Sequence, residues 1–274
     1  MSNLITRVLT ATVLGGVVVF GTVQLSVEIM AALFALVLFG AALEWAQLAG
    51  VGPRGLRIAY GVLAVATTLA SAAMLRGQPH AVSALLALGC LWWLVAAAWV
   101  IHYQVRGGPQ LTRRLWLALC GFLALVPALI AMLALLDRDP ARLLALFALV
   151  WGADIFAYFG GKTLGRRRLA SRVSPGKTWE GLAAALLGTQ LLAVAGVCAG
   201  LVVGLSLLQV LGLVAVTLIA SVIGDLLESL LKRLRGVKDS GSLLPGHGGL
   251  LDRIDSLLAA APVFTLGLIL MEQP

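Results

Sequence analysis

The chain has 274 residues, of which 61% are hydrophobic and only 12% charged, with a formal net charge of +8. A soluble domain is roughly half apolar and about a quarter charged, so one water-soluble core could not hide this much apolar side chain. A soluble enzyme, a disordered chain, a disulfide-built scaffold and a DNA-binding domain all fit poorly, and the short alternating strands of a β-barrel are absent; an all-α polytopic integral membrane protein is expected.

A bilayer-crossing helix needs about 20 apolar residues. Nine candidate spans follow one another: residues 4–22, 27–46, 58–75, 81–101, 115–136, 143–161, 181–203, 207–228 and 256–271. The first resembles a signal peptide but lacks a small-residue cleavage site and is followed by further spans. The last is short for a span, which leaves eight as the alternative. With nine spans, the side that holds the N-terminus carries seventeen of the twenty Lys and Arg residues; the other side carries Arg76, Arg138 and Arg142. The positive-inside rule then places the N-terminus and the most basic loops in the cytoplasm. In a membrane protein the excess positive charge points to topology and anionic headgroups, not to nucleic acid.

Residues 1–142 read as a scaffold of apolar helices, and residues 143–274 as helices carrying cytoplasm-facing catalytic loops at 161–181 and 229–255. Cys90, Cys120 and Cys198 each lie in an apolar stretch, with no metal or disulfide spacing, and read as buried hydrophobes. His80 and His102 fall at span ends and read as interfacial. Gly188, Gly196, Gly200 and Gly204 recur at steps of eight, four and four, which leaves one helix face bare for close approach by another helix of the chain or by a second subunit in a homodimer.

Charge is concentrated. Segments 151–181 and 221–255 hold 18 of the 32 charged residues and 7 of the 12 carboxylates. In the first, Trp151, Asp154, Tyr158 and Gly161 share a helical face. A carboxylate inside a span is costly, so Asp154 faces the bundle interior, as a functional group or as a hydrogen-bond partner of another helix. Lys162 and a run of arginines follow, readable as interfacial anchors. In Ser174-Pro175-Gly176-Lys177-Thr178-Trp179-Glu180-Gly181, Pro175-Gly176 predicts a turn and Thr178 a helix cap. Lys177 and Thr178 resemble a phosphate-gripping entry to a helix N-terminus, without the glycine spacing of a Walker A loop.

In the second segment, Ser221, Asp225, Glu228 and Lys232 form a polar helical stripe, within which Glu228 and Lys232 can pair. A glycine-rich stretch follows, and Asp252 and Asp255 project from one face of a helix start. Three carboxylates at one membrane level suit a hard cation, above all Mg²⁺, which completes its shell with water and substrate phosphates. His247 in the glycine loop is either a structural hydrogen-bonder or a phosphate contact. A membrane-surface site for phosphoryl or nucleotidyl transfer with a lipid partner is the chemistry these residues suggest.

The run from Ser229 to Asp255, with Lys232-Arg233, Lys238-Asp239, Pro245-Gly246-His247-Gly248-Gly249 and Asp252-Arg253, resembles the signature of the phosphatidate cytidylyltransferases (CDP-diacylglycerol synthases) through 27 residues without a gap. Trp151–Gly161 and Ser174–Gly181 resemble the upstream motifs of that family, with Gly176 where the family pattern has Lys. The resemblance implies transfer of CMP from CTP to phosphatidate at the cytoplasmic face of a bacterial inner membrane, with Mg²⁺ and a monovalent cation such as K⁺. It implies Asp225 and Asp252 as metal ligands and catalytic groups, with Asp255 as a third ligand or support. Lys162, Ser174, Lys177, Thr178, Glu180, Lys232, Arg233, Lys238, Asp239, His247, Gly248, Gly249 and Arg253 are the expected substrate contacts. An anion transporter and a CTP-dependent polyprenol or phytol kinase are the rival readings; a CDP-alcohol phosphotransferase fits less well, since its paired Asp-Gly and Gly-x-x-x-Asp-x-x-x-Asp pattern is absent.

Overall fold

A computed structural model describes residues 15–107, 113–202, 204–241 and 248–272. Nine helices are described in chain order: α1 (Gly15–Gln24), then α2 (Val27–Leu48), α3 (Arg54–Met74), α4 (Pro79–Arg106), α5 (Arg114–Arg138), α6 (Pro140–Leu164), α7 (Trp179–Cys198), α8 (Leu207–Arg235) and α9 (Leu251–Met271). Eight of these, α2 to α9, are long and apolar enough to cross a membrane. The expected span at 4–22 begins outside the described residues, which include its second half as α1. The expected last span is not short: α9 runs for 21 residues because Leu251–Asp255 are already helical.

The boundaries have local causes. Ser26 caps α2, Asp139 caps α6 ahead of Pro140, and Ser206 forms a capping box with Gln209 on α8. Gly236, at φ 66°, ends α8 in the left-handed conformation. Such caps matter in lipid, where an unsatisfied backbone N–H has no water to turn to.

One feature departs from an all-helical reading. Between α6 and α7 the chain forms a small antiparallel hairpin, β1 (Arg168–Ala170) and β2 (Ser174–Thr178). The turn expected at Pro175-Gly176 lies instead at residues 171–173, and Pro175-Gly176 belong to β2. Proline is tolerated there because the hairpin has two strands only, so both are edges.

The core is unevenly filled. Trp45, Trp92, Trp93, Leu125 and Leu227 anchor a layer shared by α2, α4, α5 and α8. A second layer joins α5, α6, α8 and α9 around Leu135, Leu146, Phe147 and Phe264. At Gly89 three helices meet, since a Cβ there would press on Pro127 of α5 and approach Pro262 of α9. In the third layer, between α6, α7 and α8, the buried hydrophobic side chains among the described residues are Ala153, Ala185 and Leu218, beside the buried glycines Gly160, Gly181 and Gly188. Such small residues leave space, and a cavity of about 360 Å³ opens there.

The glycine face expected along 188–204 is not a single helix face. α7 ends at Cys198, and Gly200 and Gly204, at φ 71° and 83°, belong to the connection that follows. Gly188 does permit close approach, against Phe156 of α6. Of the cysteines only Cys120 is buried; Cys90 is half-buried and Cys198 exposed at the end of α7.

Candidate active site

The cavity between α6, α7 and α8 has apolar walls, including Ala153, Ala157, Leu182, Ala185 and Leu218, and a polar end formed by Asp154, Lys177, Thr178, Ser221 and Ser256. α6 and α7 close one side of it by approaching at glycine: a Cβ on Gly160 would meet Ala184, and one on Gly181 would meet the Ala157 carbonyl.

Lys177 enters from β2. Its Nζ lies 2.5 Å from Asp225 Oδ2 on α8. Burial pushes the Lys177 ammonium down, but Asp225, and with it Asp154 and Asp255, outweighs burial and holds it above the ordinary lysine range. Lys177 thus pairs with Asp225 and feels the charge of Asp154 on α6 and Asp255 on α9. The hairpin that delivers it is tied down on all sides. Glu180 accepts from the backbone N–H groups of Arg166 (3.0 Å) and Arg167 (3.1 Å). Arg233 donates to the Val173 carbonyl at 3.2 Å, and Arg172 donates to the Val105 carbonyl at 3.0 Å. Thr178 caps α7 by accepting from Gly181 N–H at 3.1 Å.

The seam between α8 and α9 carries the rest. A Cβ on Gly224 would collide with the Asp255 carbonyl oxygen, so the bare glycine lets the two helices touch at the level of Asp225 and Asp255. One to two turns along α8, Lys232 Nζ bridges Glu228 Oε2 at 2.5 Å and Asp252 Oδ1 at 2.6 Å. Asp252 Oδ2 accepts from Ser240 N–H (3.0 Å), Ser240 Oγ (3.0 Å) and Gly249 N–H (2.8 Å). Asp225 also accepts from Ser229 Oγ at 3.2 Å, and Asp255 from Ser256 N–H at 2.7 Å.

The expected substrate contacts divide accordingly. Lys177, Lys232, Gly249 and the three aspartates are in the cluster. Gly248, at φ 83°, lies beside Asp252 and Asp239. Lys162 lines the cavity mouth, its Nζ 5.5 Å from the centre of the Tyr158 ring. Lys238, Asp239 and Arg253 are exposed. Thr178, Glu180 and Arg233 spend their polar atoms holding the hairpin, and Ser174 pairs with Ala170 inside it. His247 lies outside the described residues, with the rest of 242–247.

Three acidic members were not among the expected contacts; Glu228 was expected only to pair with Lys232, as it does. Asp154 was legible as a carboxylate inside a span, and the structure puts it on the cavity wall. Glu44 of α2 was not singled out. It is 4% exposed and accepts from Ser240 Oγ (3.0 Å), Leu250 N–H (3.1 Å) and Leu251 N–H (2.8 Å). The one sequence signal was a lone acid near the end of an apolar span.

The donors suit a hard cation in chemistry. They are oxygens, carboxylates outnumber the two lysines paired with them, and buried Glu228 Oε1 accepts no hydrogen bond from the described residues. Among the described residues no three acidic, His or Cys side chains are already drawn together as a metal-holding group. The ammonium groups of Lys177 and Lys232 lie between the carboxylates instead.

Residues 5–271 match the model of the cytidylyltransferase family. The chain is 41% identical over 261 residues to a phosphatidate cytidylyltransferase of Pseudomonas aeruginosa, covering 94% of each chain. It is 38% identical over 291 residues to a phosphatidate cytidylyltransferase of Brucella abortus, covering all of this chain and 96% of the relative. A protein of Escherichia coli named only as uncharacterized protein YnbB is 46% identical over 140 residues, about half of each chain. With its membrane-crossing helices and a cluster of acids and lysines built from the matched region, the chain belongs to the cytidylyltransferase family.

Proposed function

We infer that the chain transfers CMP from CTP to phosphatidate, producing CDP-diacylglycerol and pyrophosphate, at the cytoplasmic face of a bacterial inner membrane. The observation that carries this reading is the cavity itself: it is lined by apolar side chains together with Asp154 and Lys177, and Lys177 is paired with Asp225. A lipid phosphate and a nucleotide triphosphate both need such polar groups, and only the lipid needs such apolar walls. The large relatives named for this activity support it.

The phosphatidate phosphate is already an anionic nucleophile, so no strong general base is required. Its oxygen attacks the α-phosphorus of CTP; the new P–O bond forms as the bond to the β-phosphate bridging oxygen breaks, and pyrophosphate leaves with that electron pair. Asp225, Asp252 and Asp255 are the residues that would hold Mg²⁺, which supplies neutralisation of triphosphate and leaving-group charge. Lys177, paired with Asp225, and Lys232, paired with Glu228 and Asp252, are the cations placed to meet phosphate oxygens. Lys162 on the cavity lining, with the exposed Lys238 and Arg253, adds positive charge that attracts the polyanion. Gly224 and the tethered hairpin keep these groups in register.

The test is product analysis on purified protein given labelled CTP, phosphatidate and magnesium. CDP-diacylglycerol and pyrophosphate in equal amounts, lost on chelation and restored by magnesium, are expected. Release of CDP with a phosphorylated lipid alcohol would instead identify a kinase. No turnover, with uptake of an anion into vesicles, would identify a transporter.

A further inference from the structure

Glu44 is the one buried carboxylate near the site that comes from the first half of the chain. Its surroundings are rigid. On the same turn of α2, Trp45 is 1% exposed and donates its indole N–H to the Leu117 carbonyl of α5 at 2.8 Å. One turn later the Leu48 carbonyl accepts from Arg235 of α8 at 2.5 Å. From this platform Glu44 reaches the start of α9, where no side chain of α9's own N-cap serves the free N–H groups. It accepts from Leu250 and Leu251 N–H there, and from Ser240 Oγ on the segment that follows α8.

Glycine makes the reach fit. A Cβ on Gly241 would press on the Glu44 carboxyl carbon at 2.7 Å, and one on Gly249 would fall 2.5 Å from Glu44 Oε2. The close backbone approach at these glycines is therefore to Glu44. The same Ser240 hydroxyl that meets Glu44 also lies 3.0 Å from Asp252 Oδ2. A hydroxyl has one proton, so it serves one carboxylate at a time. Backbone N–H groups satisfy both partners besides, and Glu44, Ser240 and Asp252 form one continuous network.

We propose that Glu44 is a positioning residue for the transfer reaction: acting through Ser240 and the α9 start, it fixes the orientation of Asp252 from the N-terminal scaffold. This rests on the functional reading above. Glutamine keeps the shape of Glu44 but has only one accepting oxygen, so its NH₂ would face an N–H or O–H donor.

The experiment compares the full-length wild type, Glu44→Gln, Ser240→Ala and the double variant in lipid-containing detergent. It reads amide hydrogen exchange at Leu250 and Leu251, together with kcat and KM for CTP. In Glu44→Gln, exchange at both amides rises and kcat falls by about tenfold or more, with KM within about twofold, since a buried donor is left unmatched. The double variant is no slower than Glu44→Gln alone, because both substitutions cut one network. Unchanged exchange, wild-type kcat in folded Glu44→Gln, or losses that multiply in the double variant would overturn the proposal. If Glu44→Gln does not fold, Ser240→Ala decides: about a tenfold fall in kcat supports the proposal and wild-type kcat overturns it. A wild type that makes no CDP-diacylglycerol sinks the functional reading and the catalytic half of this one; exchange in Glu44→Gln still decides whether Glu44 holds the α9 start.

Discussion

Lys177 does more than add one charge to a basic loop. Its ammonium pairs with Asp225 of α8, and the charge of that carboxylate, with that of Asp154 and Asp255, outweighs the cost of burying it. The sign follows. An ammonium held above the ordinary lysine range stays protonated through neutral and mildly alkaline pH, so Lys177 imposes no loss of activity there. Lys177→Ala removes the proposed phosphate partner and leaves Asp225 without its cation. The KM for CTP should then rise by about tenfold or more, the scale of a lost charge-assisted hydrogen bond. Steady-state kinetics at saturating magnesium check this; an unchanged KM for CTP removes Lys177 from triphosphate binding.

The element that matters most is the α8–α9 seam, where spacing is set by an absent side chain. Gly224 lies one residue before Asp225, and a Cβ there would run into the Asp255 carbonyl and lie 3.3 Å from Ala259. Gly224→Ala should drive the two helices apart and with them Asp225 and Asp255. Overpacking of this kind costs about 1–3 kcal/mol, while the misplaced carboxylates should cost turnover by about a hundredfold. Thermal unfolding in detergent and kcat, measured on the same preparation, separate the two effects; equal, small changes in both would mean that the tight seam serves packing alone. Much of this seam was legible beforehand. The stripe Ser221, Asp225, Glu228, Lys232 and the pair Asp252, Asp255 follow from helical spacing, and the pairing of Glu228 with Lys232 is the one found. The hairpin was not legible, because the five residues of β2, with Pro175 and Gly176, carry the marks of a turn; pairing with β1 holds them extended, and tethers distant in sequence fix the turn at Arg172 and Val173. Glu44 escaped for a related reason: its partners lie about 200 positions away, and no local pattern records them.

At the scale of the whole molecule, function depends on which end of the bundle meets CTP. The hairpin, Lys238 and the α9 start lie at the ends of α6, α8 and α9 that carry most of the basic residues, whereas α7 leads away from them and ends at Cys198. The helix order therefore puts Lys238 and Cys198 on opposite sides of the bilayer, whatever the length of α1. If basic loops are retained inside the cell, Cys198 faces outward, and its exposure makes it a natural reporter. In intact spheroplasts a membrane-impermeant maleimide should label Cys198. It should leave a Cys198→Ser/Lys238→Cys chain unlabelled until the membrane is opened, with Cys198→Ser alone as the background. Labelling of both positions from outside would break the helix order. The reverse pattern, Lys238→Cys labelled and Cys198 protected, would turn the molecule over and put its acid and lysine cluster beyond the reach of cytoplasmic nucleotide. The topology experiment thus bears on chemistry as well as on orientation: a site that consumes CTP can work only on the side where CTP is.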